Sequence, residues 1–194
     1  MKRLLLKISG QSLSDERGWG ISETALEWLA GLLAQAAGQA ELAVVIGGGN
    51  IVRGSTTNLD RVTADQMGML ATAINGLALQ SKLEDRGVQV ILQSAVSTPF
   101  TEPLDRRRAV EVLSRGGMAI FTGGTGNPFV TTDTAAALRA SEIGAQLLLK
   151  GTKVDGVYTG DPQRDESAQR IERISYQEVI ARGLEVMDLA AIEL

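Results

Sequence analysis

The chain has no cysteine and no histidine among its 194 residues. Without thiols it can form no disulfide, thiolate nucleophile or thiolate metal site. Without imidazole it lacks the commonest general base and the commonest transition-metal ligand. Its chemistry must therefore run on Lys, Arg, Asp, Glu, hydroxyls, backbone dipoles and a hard, oxygen-seeking cation such as Mg²⁺. Phosphoryl transfer is the large reaction class that asks for little more, because it depends on positioning and charge stabilisation. Long apolar runs are absent too. None approaches the ~20 residues of a membrane span, and the apolar part of Met1–Lys7 is too short for a signal peptide. No membrane association is expected, and the setting is read as cytoplasmic. With 19 basic and 23 acidic residues the net charge is −4, so no general basic field invites nucleic acid. A local cluster, Arg106–Arg108, opens an expected helix at the unfavourable end of its dipole. It reads as a solvated or subunit-contact surface.

Five short apolar runs, Arg3–Ile8, Leu42–Ile46, Val88–Leu92, Met118–Thr122 and Gln146–Lys150, read as strands. They are continuous rather than alternating, the pattern of parallel strands buried on both faces. Helices alternate with them. Ser22 caps a helix with Leu26, Leu29, Ala30, Leu33 and Ala37 on one face, ended by Gly38. Thr63-x-x-Gln66 has capping-box spacing, and Met67, Leu70, Ala71, Ile74, Leu77 and Ala78 follow on one face. Further helices are expected at Arg106–Arg115 and Asp133–Ile143. A second capping box at Ser175-x-x-Glu178 opens a helix, and Gly151–Asp165 reads as irregular. The fold class is α/β with a mostly parallel sheet covered on both faces, one domain over residues 1–194. Ligands of such sheets bind beyond the carboxyl ends of the strands, where the glycine clusters fall.

Four strand ends carry chemistry. Lys7-Ile-Ser-Gly10 can place an ammonium and free N–H groups on a phosphate, or be a surface lysine before a turn. Gly47-Gly-Gly-Asn-Ile-Val-Arg53 pairs a run of glycines, costly unless a backbone must come close to something, with a guanidinium suited to phosphate oxygens. Gly123–Asp133 combines glycines, threonines and Asn127 before a helix. It is an anion or nucleotide cradle, or simply a turn whose Thr132 or Asp133 caps the helix. Lys150–Pro162 gathers Lys, Thr, Asp and Tyr158, whose ring can lie against an adenine, or it is a surface hairpin. Asp65 complements a helix dipole, and Asp188 can be a helix-start residue. Neither G-x-G-x-x-G nor the P-loop pattern is present.

In this order and spacing these stretches resemble the bacterial-type uridylate kinases of the amino acid kinase superfamily. The segments that carry the likeness include Gly47–Gly54, Asp60–Thr72, Asn75–Leu79, Thr125–Thr134, Lys150–Tyr158 and Val186–Ala190. The resemblance implies a three-layer αβα sandwich, here lacking the usual C-terminal strands, and the reaction ATP + UMP → ADP + UDP. It also implies Mg²⁺, a homohexamer, and GTP or UTP as effector, with Asp15–Gly20 as the loosely matching effector region. Carried over by position, Lys7, Ile8, Ser9, Gly10, Gly49 and Arg53 meet the ATP phosphates, and Thr152, Tyr158 and Asp161 meet the adenosine end. Gly48, Asp65, Thr125, Gly126, Asn127, Pro128, Phe129, Val130, Thr131 and Thr132 form the UMP site. Lys7, Arg53, Asp133 and Asp188 are the catalytic set, the two carboxylates standing near metal and phosphates. Two other classes stay open: a catalytically weak nucleotide-binding sensor or assembly subunit, and a carboxylate kinase of the same superfamily.

Overall fold

The computed structural model describes residues 1–52, 58–152, 154–184 and 186–194. Strands β1 (Arg3–Ile8), β2 (Glu41–Ile46), β3 (Val90–Ser94), β4 (Glu102–Pro103), β5 (Met118–Thr122) and β6 (Leu147–Lys150) form one sheet. Its order is β4-β3-β5-β2-β1-β6, and every pairing is parallel. Successive strand residues point to opposite faces, so each apolar run feeds two cores. Leu42, Val44 and Ile46 of β2, with Met118 and Ile120 of β5, pack under α1 (Glu23–Ala37) and α2 (Arg61–Glu84). Ala43, Val45, Ala119 and Phe121 pack under α3 (Arg106–Ser114) and α4 (Thr132–Ile143). This is the expected αβα sandwich.

Several local expectations are corrected. Helix α2 begins earlier than Thr63: Asp60 is its cap, accepting the Thr63 N–H at 3.0 Å, so the Thr63-x-x-Gln66 box is not formed. The apolar stripe read on α2 is not its sheet face. Met67, Leu70, Ile74 and Leu77 are exposed, whereas Ala64, Ala71, Thr72, Asn75 and Gly76 are buried. The helix lies too close to the sheet for larger groups. A Cβ on Gly76 would stand 2.6 Å from Thr122 Cγ2 and 2.8 Å from Leu92 Cδ1, below any real contact.

Helix α4 is capped by Thr131, not by Thr132 or Asp133. Its hydroxyl accepts the N–H groups of Asp133 and Thr134 while its own backbone stays extended. The stretch read as irregular contains β7 (Val157–Tyr158), paired antiparallel with β8 (Arg170–Ile171). Ser175 and Glu178 do form a reciprocal capping box on α5 (Tyr176–Arg182). Asp188 caps the short α6 (Leu189–Glu193). Arg106, Arg107 and Arg108 are exposed, behind an Asp105 cap.

Candidate active site

Every cluster singled out in the sequence falls at the carboxyl end of the sheet. Lys7 near the end of β1 and Lys150 at the end of β6 are level partners across two neighbouring strands. Between them stands Asp133, the second residue of α4. Its Oδ1 lies 2.7 Å from Lys7 Nζ and its Oδ2 lies 2.8 Å from Lys150 Nζ. The Lys150 contact is a directed hydrogen bond. The Lys7 contact is an ion pair at a poor hydrogen-bond angle, and Oδ1 has no better-directed donor. All three side chains are mostly withdrawn from solvent, at 11% for Lys7, 12% for Asp133 and 26% for Lys150. Such a buried charge set holds only while each member is paired.

The glycine turn after β2 is locked from behind. Asn50 and Asn75 are fully buried and exchange side-chain amide hydrogen bonds at 2.7 and 3.0 Å. Asn75 also donates to Gly47 O at 2.8 Å. A Cβ on Gly10 would fall 2.5 Å from Asn50 Oδ1, so the Ser9-Gly10 turn packs directly on this glycine turn. On α2, Thr72 Oγ1 accepts the Gly123 N–H at 2.6 Å and so pins the start of the second glycine loop.

A narrow cavity of about 170 Å³ opens between these loops, walled by Gly48, Gly49, Asp65, Thr125, Val130 and Thr132 among others. Five of the expected UMP residues thus line one cavity. Asp65 pairs with Arg61 at 2.9 Å and accepts the Phe129 N–H at 2.8 Å. The Arg61 guanidinium lies over the Phe129 ring, 5.7 Å from its centre. Phe129 has φ 68°, the one positive φ outside glycine among the described residues, a conformation a bulky residue holds only when its surroundings impose it. Gly126, Asn127, Pro128 and Phe129 do not line the cavity. Thr131 uses its hydroxyl for the α4 cap and for Asp188.

A wider cavity of about 510 Å³ lies on the β6 side, with Lys150, Thr152, Tyr158, Asp161, Arg182 and Val186 in its wall. It holds all three residues expected at the adenosine end. The Tyr158 hydroxyl donates to Asp155 Oδ1 at 2.7 Å. That bond holds the phenol above its usual range and the Asp155 carboxyl below its own. Of the residues expected at the ATP phosphates, Ile8 is in the core, Ser9 caps a short 3-10 turn and Gly10 is packed as above. Gly49 lines the narrow cavity. Arg53 lies outside the described residues. In Asp15–Gly20, the stretch expected to meet an effector, Asp15 pairs with Arg17 at 2.6 Å.

Asp133 lines neither cavity but has a neighbour in each: Lys150, its ion-pair partner, borders the wide one, and Thr132, its chain neighbour, borders the narrow one. Asp188 braces this stretch. It accepts the hydroxyl of Thr131, that of Thr134 at 2.8 Å and the Ala191 N–H at 3.1 Å. Burial pushes its carboxyl up, and these donors outweigh that and hold it below the usual carboxylate range. Among the described residues no three acidic groups gather as a metal site. Both Asp133 oxygens face lysines and both Asp188 oxygens face donors, so these two carboxylates present no ready Mg²⁺ cage.

Sequence reasoning did not group Lys150 with Lys7 and Asp133. A signal was there: Leu-Leu-Leu-Lys occurs at Leu4–Lys7 and again at Leu147–Lys150. The structure pairs the two copies residue for residue.

A model of the amino acid kinase family matches residues 2–194. Uridylate kinases from Mesorhizobium japonicum and Magnetococcus marinus are each 52% identical to this chain over 198 residues, covering all of it and 82% of the relative. The UMP kinase of Bacillus anthracis superposes with a TM-score of 0.94 at 38% identity, covering 99% of this chain and 82% of that one. That of Ureaplasma parvum gives 0.93 at 36% identity, covering 99% and 84%.

Proposed function

This chain belongs to the amino acid kinase family, and from that premise we propose that it is a uridylate kinase, transferring the γ-phosphoryl group of ATP to UMP to give ADP and UDP. The observation that carries this reading is the Lys7–Asp133–Lys150 set, with Lys150 in the wall of the wide cavity and Thr132, next to Asp133, in the wall of the narrow one. ATP takes the wide cavity, whose 510 Å³ falls in the usual ~300–1,000 Å³ range of ligand pockets. UMP takes the narrow one.

The attacking atom is a phosphate oxygen of UMP, already anionic at neutral pH, so no general base is needed. That suits a chain without histidine. The barrier lies in bringing two anions together, and the lysine ammoniums and the positive end of α4 oppose that repulsion. Asp133 keeps the ammoniums apart and aimed. At 170 Å³ the acceptor cavity is below the ligand-pocket range. UMP entry therefore displaces the 123–131 loop, and the Phe129 N–H is the contact that releases Asp65 for the acceptor. Mg²⁺, which screens phosphate charge, would come with the nucleotide phosphates, as it usually does.

The exposed α2 residues Met67, Leu70, Ile74 and Leu77 form a stripe at helical spacing. They support a homo-oligomer, a hexamer by resemblance; the cytoplasm is the setting expected from the sequence. No described helix is long and apolar enough to cross a membrane.

The test is coupled ADP release with ATP, Mg²⁺ and a panel of nucleoside monophosphates. UMP should be the strongly preferred acceptor. Equal turnover of CMP and UMP, or no turnover with UMP, would overturn the reading. UMP binding in a calorimeter without turnover would favour the nucleotide-binding subunit instead.

A further inference from the structure

We propose that Thr72 is a positioning residue for the acceptor nucleotide. Its hydroxyl fixes the root of the loop that starts at Gly123 against the glycine turn after β2, and so sets the width of the narrow cavity. The proposal rests on the kinase reading above, with UMP in that cavity. Thr72 is buried on α2 and stands between the two walls. On one side Gly48 packs directly on the helix. A Cβ there would fall 2.7 Å from Gly68 O, 2.8 Å from Ala71 Cβ and 3.1 Å from Thr72 N. On the other side the Gly123 N–H donates to Thr72 Oγ1 at 2.6 Å. One residue of one helix therefore touches both glycine segments.

The hydroxyl has no proton left for a ligand. It donates to Met69 O, one turn back on α2, at 2.6 Å, and a hydroxyl carries a single donor. Thr72 thus acts on the acceptor through Gly123, and the chain Gly123 N–H to Oγ–H to Met69 O strengthens itself by mutual polarisation. Gly123 is closed in from its other side as well. A Cβ on it would lie 2.8 Å from both Ser94 Oγ and Val96 N, at the end of β3 and the turn after it. The next two residues, Gly124 and Thr125, line the cavity. Gly124 has φ 59°, a joint that glycine supplies without strain. The rest of the loop can swing there while Gly123 stays on Thr72. The opposite wall is held by the same helix one turn further on, where Asn75 donates to Gly47 O at 2.8 Å. Helix α2 is therefore the common reference for both walls, and Thr72 is the point at which the movable one is attached.

Thr72→Val keeps the branched shape and removes the hydroxyl, whereas Thr72→Ser keeps the hydroxyl and removes the methyl group. Each is compared with wild type for the KM of UMP, the KM of ATP and thermal melting. Thr72→Val should raise the KM for UMP about tenfold, the upper range for one lost hydrogen bond. The KM for ATP should stay within about twofold, because ATP occupies the other cavity. Thr72→Ser should recover most of the UMP affinity. A role confined to stability would lower the melting temperature of Thr72→Val and leave both KM values alone. A rise in the KM for UMP below about threefold, an equal rise for ATP and UMP, or a Thr72→Ser as impaired as Thr72→Val would each overturn the proposal. Should Thr72→Val fail to fold, amide hydrogen exchange in the wild-type protein decides. The Gly123 amide should be protected with and without UMP, and the Thr125 amide should gain protection when UMP is added. Free exchange at Gly123, or no added protection at Thr125, would refute the anchor. Wild-type turnover run in parallel separates the two failures: an inactive wild type sinks the kinase reading, and an active wild type with an indifferent Thr72→Val sinks only this inference.

Discussion

Replacing Asp133 by Asn keeps the shape of the site and removes the one charge that two ammoniums share. At the 2.7 and 2.8 Å separations seen here, each pair attracts by roughly 6 kcal/mol at an effective dielectric of ~20, before desolvation is counted. The net cost of removing one partner from a buried pair is ~3–5 kcal/mol. Lys150 is a quarter exposed and borders a cavity, so solvent screening sets the expectation at the lower end, ~3 kcal/mol. For a chain of this size each kcal/mol moves Tm by ~2–4 °C, giving a fall of ~6–12 °C. The two ammoniums left behind repel each other, and a polyanion relieves them. Calorimetric melting with and without inorganic tripolyphosphate should therefore show a larger anion-induced rise in Asp133→Asn than in wild type. Turnover should fall as well, because neither lysine keeps its aim. A Tm within about 2 °C of wild type, or an anion response no larger than that of wild type, would refute the reasoning.

Asp65→Asn should raise the KM for UMP by roughly ten- to a hundredfold, the worth of a charge-assisted hydrogen bond, while leaving the KM for ATP nearly unchanged. Equal effects on both substrates would reduce Asp65 to a helix-dipole partner. Asp188 makes the stability of the fold depend on acid. Its folded carboxyl is held low, so as pH falls the unfolded chain takes up the proton first. The contribution is full above the ordinary Asp value near ~3.9 and is lost as pH drops through the lower folded value. Urea midpoints measured from neutral to acidic pH should fall more steeply in wild type than in Asp188→Asn, and parallel curves would count against it. Leu70→Glu combined with Ile74→Glu should lower the assembly mass in light scattering at little cost to melting temperature, since both side chains are solvent-facing. An unchanged mass would remove α2 from the interface.

The parallel sheet was legible because strands buried on both faces must be apolar throughout, as Leu42–Ile46 is. The same logic misled at α2. There the large residues give the clear 3.6-residue period, but the sheet face needs small ones, and Ala, Thr and Gly leave a weak hydropathy signal. The α4 cap was ambiguous for a local reason: Thr131, Thr132 and Asp133 are all good caps, and only the backbone geometry selects the first. The two-residue strands β7 and β8 are too short to show any period. Most of the residues expected at UMP were readable as one loop. That Asp65 reaches across 64 residues to Phe129, or Lys150 to the Asp133 that Lys7 also holds, is set by strand register and helix placement, which no single stretch encodes. Arg53, the guanidinium expected at the phosphates, lies outside the described residues.

The sheet order has a temporal consequence. Strand β1 lies between β2 and β6, so one of its edges is completed by residue 46 and the other only when residues 147–150 arrive. At a synthesis rate of ~5–20 residues per second, that second edge, with its unpaired N–H and C=O groups, waits ~5–20 s on the ribosome. Lys7 waits nearly as long for Asp133. An open apolar edge of that kind is a template for wrong pairing. A nascent chain stopped before residue 147 should thus be a better chaperone client than one extended past residue 150, because β6 covers that edge of β1 and brings Lys150 level with Lys7.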